Sequence, residues 1–404
     1  MDEIYELSLE ARRVLRDHVH VTPLITNYTL NALIGVDTYL KLENMQKTGA
    51  FKVRGAVFKI HRLISRENVG GVVAASSGNH AQGVAYAAKC FDIEALIVMP
   101  KTASSTKINA TRSYGAKVVL HGTYYDEAYD KAIEIMKEKN YPFIHPYDDP
   151  EIIAGQATIA HEIFDQIHEP AYIIAPIGGG GLISGLAVVA KKKNPDTKVI
   201  GVEPRNAPSI YYRVKEGLSE VEVKPSIADA VVVKKPGELT SKIIEELVDD
   251  IVLVNEEDIS YAINFLLERA KIVVEGAGAL PVAAMLSNAL KPEKGPVVVV
   301  ISGGNIDPAL LSRIIIHETA KDGRLVSIVG ELFDKPGELG KVIDILAKYG
   351  LNIIDIKHDR WNPRTLPNKA LLEIVFEAAS RESVKQALEE LRIRGYSFKL
   401  KDQL

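Results

Sequence analysis

The sequence predicts an α/β fold with open, mostly parallel sheets, and three observations lead to this prediction. Short continuous runs of Val, Ile and Ala are typical of strands that are buried on both faces of a sheet. Helical patterns separate these runs, as in right-handed βαβ units. The pattern changes after residue 324, which predicts a second, smaller domain. The predicted buried strands comprise residues 71–75, 95–99, 117–120, 171–177, 198–203 and 296–302.

The first 43 residues lead into this region. Residues 1–35 show two helical patterns that flank the segment 20–24, in which Thr22-Pro23 is typical of a turn or a helix start. Residues 36–43 alternate between apolar and polar side chains, which predicts one more strand.

Composition narrows the class of protein. The 404 residues are 47% hydrophobic and 25% charged, with a net charge of -4, which is ordinary for a soluble protein of two or three domains. The dispersed charge predicts neither a nucleic acid nor a membrane as partner. A single cysteine, Cys90, excludes an intramolecular disulfide. Together with a charged N-terminus unlike a signal peptide, it predicts a cytoplasmic location.

The loops after the predicted strands should hold the ligand, because open α/β sheets bind ligands beyond the carboxyl ends of their strands. Residues 76–80 (SSGNH) follow the first buried strand and precede a helical pattern. Hydroxyl and amide side chains cap a helix there, and its free N–H groups favour a carboxylate or phosphate. An ordinary helix cap without a ligand is the alternative.

Four consecutive glycines, Gly178 to Gly181, follow another predicted strand. Their use is the close approach of backbone N–H groups to an anion. The dinucleotide fingerprint fails because Ile183 or Ser184 stands where its third glycine is needed, and no lysine completes a Walker A motif. The loop therefore predicts a phosphate site for another ligand. The loops 275–279 (EGAGA) and 302–305 (SGGN) are glycine-rich as well, and either could be a simple turn.

Lys52 is the candidate nucleophile. It follows Phe51 and begins a helical pattern with apolar residues at 53, 56, 57 and 60. Apolar surroundings lower the pKa of a lysine, and a neutral amine can form a Schiff base. In isolation such a lysine is more often a surface residue. The predicted phosphate and anion loops further along the chain favour a functional role for Lys52.

Metal sites find less support in the sequence. The dipeptide at 161–162 begins like a zinc HExxH motif, but Asp165 replaces the second histidine, which excludes that motif. Glu203 could offer a carboxylate, and Ala207 a carbonyl, to a mono- or divalent cation. A solvated loop is the alternative for these two residues.

Together these motifs resemble the fold-type II pyridoxal phosphate (PLP) enzymes of the serine/threonine dehydratase family. The matching segments, in the family's order, are KTGAFKVRGA, ASSGNHAQGVA, IGGGGL, EGAG and SGGN. The resemblance covers about residues 5–315 and implies the tryptophan synthase β-like fold of two open-sheet subdomains.

The resemblance also implies a role for each matching residue. Lys52 would carry PLP as a Schiff base, Phe51 would line the ring pocket and Asn79 would hydrogen-bond the ring hydroxyl. Ser302 would face the pyridine nitrogen. The phosphate would lie on the backbone of Gly178, Gly179, Gly180, Gly181 and Leu182. The substrate carboxylate would lie among Ser76, Ser77, Gly78, Asn79 and His80.

The reaction that the resemblance implies is β-elimination of water from L-threonine, giving 2-oxobutanoate and ammonia, with L-serine as a second substrate giving pyruvate. Ser77 departs from many dehydratases of the family, which have alanine there, and matches serine racemases, in which this serine can act as a second acid/base. A racemase with side elimination is therefore the first alternative. A non-catalytic amino-acid sensor is the second. Ser209 stands where racemases carry a cation-binding carboxylate, which weakens the cation site.

The C-terminal residues predict a βαββαβ, ferredoxin-like unit. The segments DKPGEL and NIIDIKHDR resemble an ACT domain, a regulatory module that binds amino acids. We therefore predict a catalytic domain at 1–320, a regulatory domain at 325–404 and a homodimer or homotetramer. An effector such as isoleucine or valine is the predicted ligand, and dimerisation without a ligand is the alternative. The predicted effector residues are Asp334, Gly337, Glu338, Leu339 and Asn352.

Overall fold

The computed structural model describes residues 1–401 and forms two compact units, Met1–Asp307 and Pro308–Leu404. The division lies ahead of the predicted boundary at 320–325 because a helix at Pro308–Lys321 contacts the first strand of the second unit. The last three residues of the predicted regulatory domain, 402–404, lie outside the described residues.

The first unit, which is described in full, holds two sheets. Its strands are β1 (Leu24–Thr26), β2 (Thr38–Leu42), β3 (Gly71–Ala75), β4 (Glu94–Met99), β5 (Lys117–Leu120), β6 (Tyr172–Pro176), β7 (Lys198–Pro204), β8 (Asp250–Val254) and β9 (Val297–Ile301). One sheet has the order β1-β2-β9-β6-β7-β8 and is parallel except for the antiparallel pair β1/β2. The other has the order β3-β4-β5 and is parallel throughout. The predicted α/β class is confirmed.

Helices connect these strands as the sequence pattern predicts. They are α1 (Asp2–Leu15), α2 (Tyr28–Ile34), α3 (Lys52–Arg66), α4 (Asn79–Cys90), α5 (Ser105–Ser113), α6 (Tyr125–Lys139), α7 (Pro150–Gln166), α8 (Gly181–Lys193), α9 (Ser209–Glu216), α10 (Glu238–Leu247), α11 (Glu256–Phe265) and α12 (Gly276–Leu286). None of the helices in the described part of the chain combines the length and the apolar character needed to cross a bilayer.

Two apolar cores fix the ends of the central strands. One core packs α3, α4 and α7 against the three-stranded sheet, and Phe58 and Ile97 are among its fully buried side chains. The other packs α7 and α8 against the six-stranded sheet, with Ile173 and Leu186 buried in it. Since α7 contributes side chains to both cores, it fixes the position of one sheet relative to the other. The carboxyl ends of β3, β6 and β9 therefore have fixed positions.

A buried ionic cluster lies behind α3. The Arg54 guanidinium donates to both oxygens of Glu43, at 2.7 and 2.8 Å, and to both oxygens of Glu162, at 2.6 and 3.0 Å. Lys41 Nζ donates to the same Glu162 at 2.6 Å. Burial acts to lower the pKa of Arg54, but the two carboxylates outweigh this effect and raise the pKa above its usual value. The cluster joins β2, α3 and α7. Its member on α3, Arg54, lies only two residues after Lys52.

The second unit, described through Lys401, is an antiparallel sheet with helices. Its elements are α13 (Pro308–Lys321), β10 (Leu325–Phe333), α14 (Glu338–Lys348), β11 (Asn352–Asp359), β12 (Lys369–Glu377), α15 (Arg381–Ile393) and β13 (Ser397–Leu400). The strand order is β11-β12-β10-β13, and α14 and α15 bury Leu346 and Leu391 in its core. From β10 onward this is the predicted βαββαβ order.

Candidate active site

Lys52 is the first residue of α3, and its side chain extends toward the segment that contains Pro146. Its Nζ donates to the carbonyl oxygen of Pro146 at 2.7 Å and lies 5.3 Å from the centre of the Phe51 ring. Burial lowers the pKa of this amine to about 8, while the nearby Glu275 carboxylate acts in the opposite direction. A neutral amine is therefore accessible near physiological pH, as Schiff-base chemistry requires.

The segment that leads into Lys52 is paired, backbone to backbone, with the loop that contains Ser302. Phe51 N donates to Ser302 O at 3.0 Å, and Ala50 forms an antiparallel bridge with Gly303. The hydrogen bond from Gly304 N to Gly49 O, at 2.9 Å, continues the pairing. The buried Ser302 thus ends β9 directly against the segment that leads into α3.

Asn79 begins α4 and is buried. Its Nδ2 donates to Glu275 Oε1 at 2.6 Å, and its Oδ1 accepts from Asn305 Nδ2 at 2.8 Å. Sequence reasoning missed this use of Glu275 and Asn305, although both stand in glycine-rich loops that it singled out. Burial, with a smaller contribution from Asp229, raises the pKa of Glu275 to about 7.

The residues that precede and begin α4 form the loop for which the sequence predicts an anion site. Ser76 Oγ accepts from Gly78 N at 3.2 Å, and a side chain at Gly78 would meet open space. His80 Nε2 donates to Ile144 O at 2.9 Å, so its Nδ1 is an acceptor. Burial lowers the pKa of His80 to about 3. Its neutral ring therefore offers a carboxylate no N–H, and its part in the predicted anion site is limited to its backbone.

The tetraglycine loop joins β6 to α8. It packs against Tyr147, which adjoins the Pro146 that Lys52 contacts. Gly180 has a φ of +90° and caps α8, and Leu182 is buried in the first turn of that helix. A side chain at Gly179 would collide with the ring of Tyr147, which follows the Pro146 that accepts from Lys52. The first N–H groups of a helix have no partner within it, so this backbone can hold an anion.

The residues present fit PLP. The cofactor needs a lysine amine that can lose its proton, a backbone cradle for a phosphate and polar groups for its ring. Lys52, the glycine loop, Asn79 and Ser302 have these properties and are linked through Pro146, Tyr147 and the paired loops. A Cβ on Gly178 would come within 3.0 Å of the Val231 backbone, which shows how tightly the cradle is enclosed.

The Glu203 carboxylate has a different use from the one considered for a cation. Its oxygens accept from Ile210 N at 3.0 Å and from Tyr211 N at 2.8 Å, so it caps α9. Burial raises its pKa to about 8. Ala207 is buried in the same loop. No group of three or more His, Cys, Asp or Glu side chains that could hold a metal occurs in the chain up to Lys401.

The predicted effector residues lie at one turn and one strand end of the second unit. Gly337, with a φ of +88°, caps α14, and half-buried Leu339 lies in its first turn. Glu338 accepts from the Tyr396 hydroxyl at 2.7 Å. Asp334 pairs with Arg360 at 3.0 Å. Asn352 begins β11 and donates to Glu377 at 3.0 Å.

The lowered pKa of Lys52 predicts its reactivity. In the cofactor-free protein, acylation of Lys52 by a small amine-reactive reagent should rise with pH and level off above about 8. The amine is charged and unreactive below this value and neutral above it. Peptide mapping by mass spectrometry would measure the rate at each pH. A Lys52 rate that still rises steeply between pH 9 and pH 10 would contradict the lowered pKa.

Comparisons with known proteins agree with this geometry. A family model described as "Pyridoxal-phosphate dependent enzyme" matches residues 15–303. The chain is 45% identical over 392 residues to an L-threonine ammonia-lyase of Thermotoga maritima, covering 97% of this chain and 98% of that protein. The structure of threonine deaminase isoform 2 from Solanum lycopersicum, in its processed form, is 36% identical with a TM-score of 0.74, covering 78% of this chain and 92% of that one. Maize serine racemase is 33% identical with a TM-score of 0.73, covering 78% and 98%.

Proposed function

Since the chain belongs to the pyridoxal-phosphate dependent enzyme family, we propose that it is an L-threonine ammonia-lyase, which converts L-threonine to 2-oxobutanoate and ammonia. The family that five sequence motifs predicted is confirmed. The observation that carries the proposal is the backbone pairing of the Lys52 segment with the Ser302 loop, together with the lowered pKa of the Lys52 amine.

PLP, when bound, supplies the electron sink that makes the Cα–H bond of an amino acid acidic. The chain would provide the rest. Lys52 would hold the cofactor and, once released by the substrate amine, take the Cα proton as the general base. The Cα–H and Cβ–O bonds break, water leaves, and hydrolysis of the remaining C–N bond yields 2-oxobutanoate and ammonia.

The other site residues would orient and tune the cofactor. The backbone of the tetraglycine loop and Leu182 would bind the phosphate, and the loop at 76–80 would bind the substrate carboxylate. Asn79 would hydrogen-bond the ring hydroxyl. Ser302 would leave the ring nitrogen largely unprotonated, because a neutral hydroxyl, unlike a carboxylate, does not stabilise a proton there. A weaker electron sink favours elimination over a long-lived carbanion.

L-Serine is the proposed second substrate, with pyruvate as its product. The two substrates differ by one methyl group, which a hydrophobic pocket distinguishes by only about 1–3 kcal/mol.

A serine or threonine racemase with side elimination is the second candidate, and Ser77 is the residue that favours it. Ser77 lies in the loop that joins β3 to α4, one residue before the cap of that helix, where a hydroxyl could return a proton to the second face of Cα. The non-catalytic sensor has lost its support, because the chain is similar to catalytic relatives over nearly its whole length.

Replacement of Ser77 by alanine tests whether this hydroxyl serves racemisation alone or elimination as well. In an ammonia-lyase, Ser77→Ala should retain 2-oxobutanoate formation within about tenfold, because elimination needs no acid on the second face. Any D-isomer that the native protein forms should disappear. Chiral analysis of the remaining amino acid is the measurement. Loss of elimination together with racemisation would make Ser77 essential to both reactions and contradict the assignment.

We also propose that residues 1–320 are catalytic and residues 325–404 regulatory, within a cytoplasmic homodimer or homotetramer. Asp334, Gly337, Glu338, Leu339 and Asn352 would bind an amino-acid effector. Isoleucine or valine, added to the threonine reaction, tests this directly. Truncation before β10 should remove any response while leaving turnover measurable.

The primary experiment measures 2-oxo acid release by the PLP-loaded full chain from L-threonine and L-serine. We expect the protein to release 2-oxobutanoate from L-threonine faster than it forms the D-isomer. If D-amino acid accumulates faster than 2-oxo acid, the protein is a racemase. If the protein binds PLP but transforms neither amino acid, the proposed substrate class is wrong.

A further inference from the structure

Glu275 is a buried carboxylate that the proposed chemistry does not use. It immediately precedes α12, is only 4% exposed, and its backbone N donates to Gly303 O at 3.1 Å. Its Oε1 accepts from Asn79 Nδ2 at 2.6 Å. A side chain at Gly303 would collide with the Glu275 carboxylate, so the carboxylate is held between the Gly303 backbone and Asn79. These contacts fix the position of the carboxylate against the Asn79 amide.

The amide of Asn79 is held from its other end as well. Asn305 Nδ2 donates to Asn79 Oδ1 at 2.8 Å and to Thr48 O at 2.8 Å. The amide nitrogen of Asn305 thus faces two acceptors, which determines the orientation of that amide. Thr48 lies four residues before Lys52, so the same group ties Asn79 to the lysine segment.

These contacts decide which atoms Asn79 can present to a ligand. The Thr48 carbonyl only accepts hydrogen bonds, so the Asn305 nitrogen faces it, and the oxygen of Asn79 must face the same nitrogen. The Asn79 nitrogen therefore faces Glu275. The nitrogen carries two hydrogens and Glu275 takes one of them. The second N–H is the donor that remains for a ligand.

We propose that Glu275 is a positioning residue that fixes Asn79 as a hydrogen-bond donor to the ring oxygen of PLP. The inference rests on the proposed function, in which Asn79 contacts that oxygen. A donor stabilises the ring oxygen in its deprotonated, anionic form. Without Glu275 the Asn79 amide would be held only by its contact with Asn305. Rotation of the amide would then turn its oxygen toward the ring oxygen and favour the protonated form.

The experiment compares Glu275→Leu with Glu275→Gln in the PLP-loaded full chain at pH 8. The visible absorbance of lysine-bound PLP belongs to the form with an anionic ring oxygen, and the near-ultraviolet absorbance to the form with a ring hydroxyl. Glu275→Leu should lower the visible to near-ultraviolet ratio about tenfold, because it removes a hydrogen bond to a charged acceptor. Glu275→Gln keeps an oxygen that can accept from Asn79, so its ratio should stay within about twofold of the native value.

A double variant tests that Glu275 acts through Asn79. In the Asn79→Ala background, Glu275→Leu should change the ratio less than twofold further, because the positioned amide is already absent. An undiminished further change would overturn the proposal. An equal effect of Glu275→Gln and Glu275→Leu would also overturn it, since the charge and not the hydrogen bond would then be responsible.

Asn305→Ala provides a second route if Glu275→Leu does not fold. It removes the donor at the other end of the Asn79 amide, so the ratio should fall in the same direction. A native ratio in Asn305→Ala and in every folded Glu275 variant would refute the positioning role. Threonine turnover by the native protein is measured separately. Native turnover with unaltered variant spectra contradicts this inference alone, whereas a native protein that binds no PLP contradicts the proposed function.

Discussion

Replacement of Lys52 by alanine is expected to abolish the visible absorbance of the PLP-loaded protein and to lower threonine turnover by about 10⁴-fold or more. The alanine variant loses the covalent link to the cofactor and the base that takes the Cα proton in one change. PLP should still bind through the tetraglycine loop, because that contact uses backbone groups only. Absorbance spectroscopy and 2-oxobutanoate release are the two measurements.

Two control variants separate the amine from its charge and from its segment. Lys52→Arg keeps a positive charge but cannot lose its proton or form the link, so it should be as inactive as alanine. Lys47→Ala removes an exposed lysine from the same segment and should retain full turnover. Full activity in Lys52→Ala would refute the proposed mechanism.

The buried strands were predictable from sequence because their composition alone requires burial on both faces. Residues 297–301 are five consecutive Val or Ile residues, and all five are fully buried in β9. The order of glycine-rich loops at the strand ends then predicted where the site would form. Two strands of the first unit were missed. β1 is only three residues long, and β8 has a short apolar run, 251–254, that directly follows two acidic residues.

Contacts between distant segments could not be predicted in the same way. Asn79 and Glu275 are 196 positions apart, and nothing in either loop indicates that one carboxylate faces one amide. His80 and Glu203 show the same limit. Sequence reasoning treated both as free to meet a ligand, but the fold commits one to the carbonyl of Ile144 and the other to the start of α9.

The buried ionic cluster behind α3 leads to the second large prediction. Arg54→Met should lower the free energy of unfolding by about 3–5 kcal/mol, because Glu43 and Glu162 would remain buried without their main partner. Arg54 is fully buried, and it is the residue through which both carboxylates join the lysine helix. Urea unfolding of the full chain, followed by circular dichroism, measures the change.

Arg12→Met is the matched control, because Arg12 also pairs with a carboxylate of α7 but does so at the surface. The exposed fractions of the Arg12 and Asp165 side chains are 47% and 43%, and pairs of this kind contribute only about 0–1 kcal/mol. Equal destabilisation by both variants would show that the burial of the cluster is not what makes Arg54 important.

In the Arg54 variant, the link between Lys52 and the cofactor should be lost more easily as well, for a geometric reason. Arg54 lies two residues after Lys52 on the same helix, so release of the cluster frees the end of α3 that presents the amine. We expect the visible absorbance to decline at denaturant concentrations below the global transition in Arg54→Met and together with it in Arg12→Met. Coincident transitions in both variants would mean that the cluster stabilises the unit as a whole without a separate role in holding Lys52.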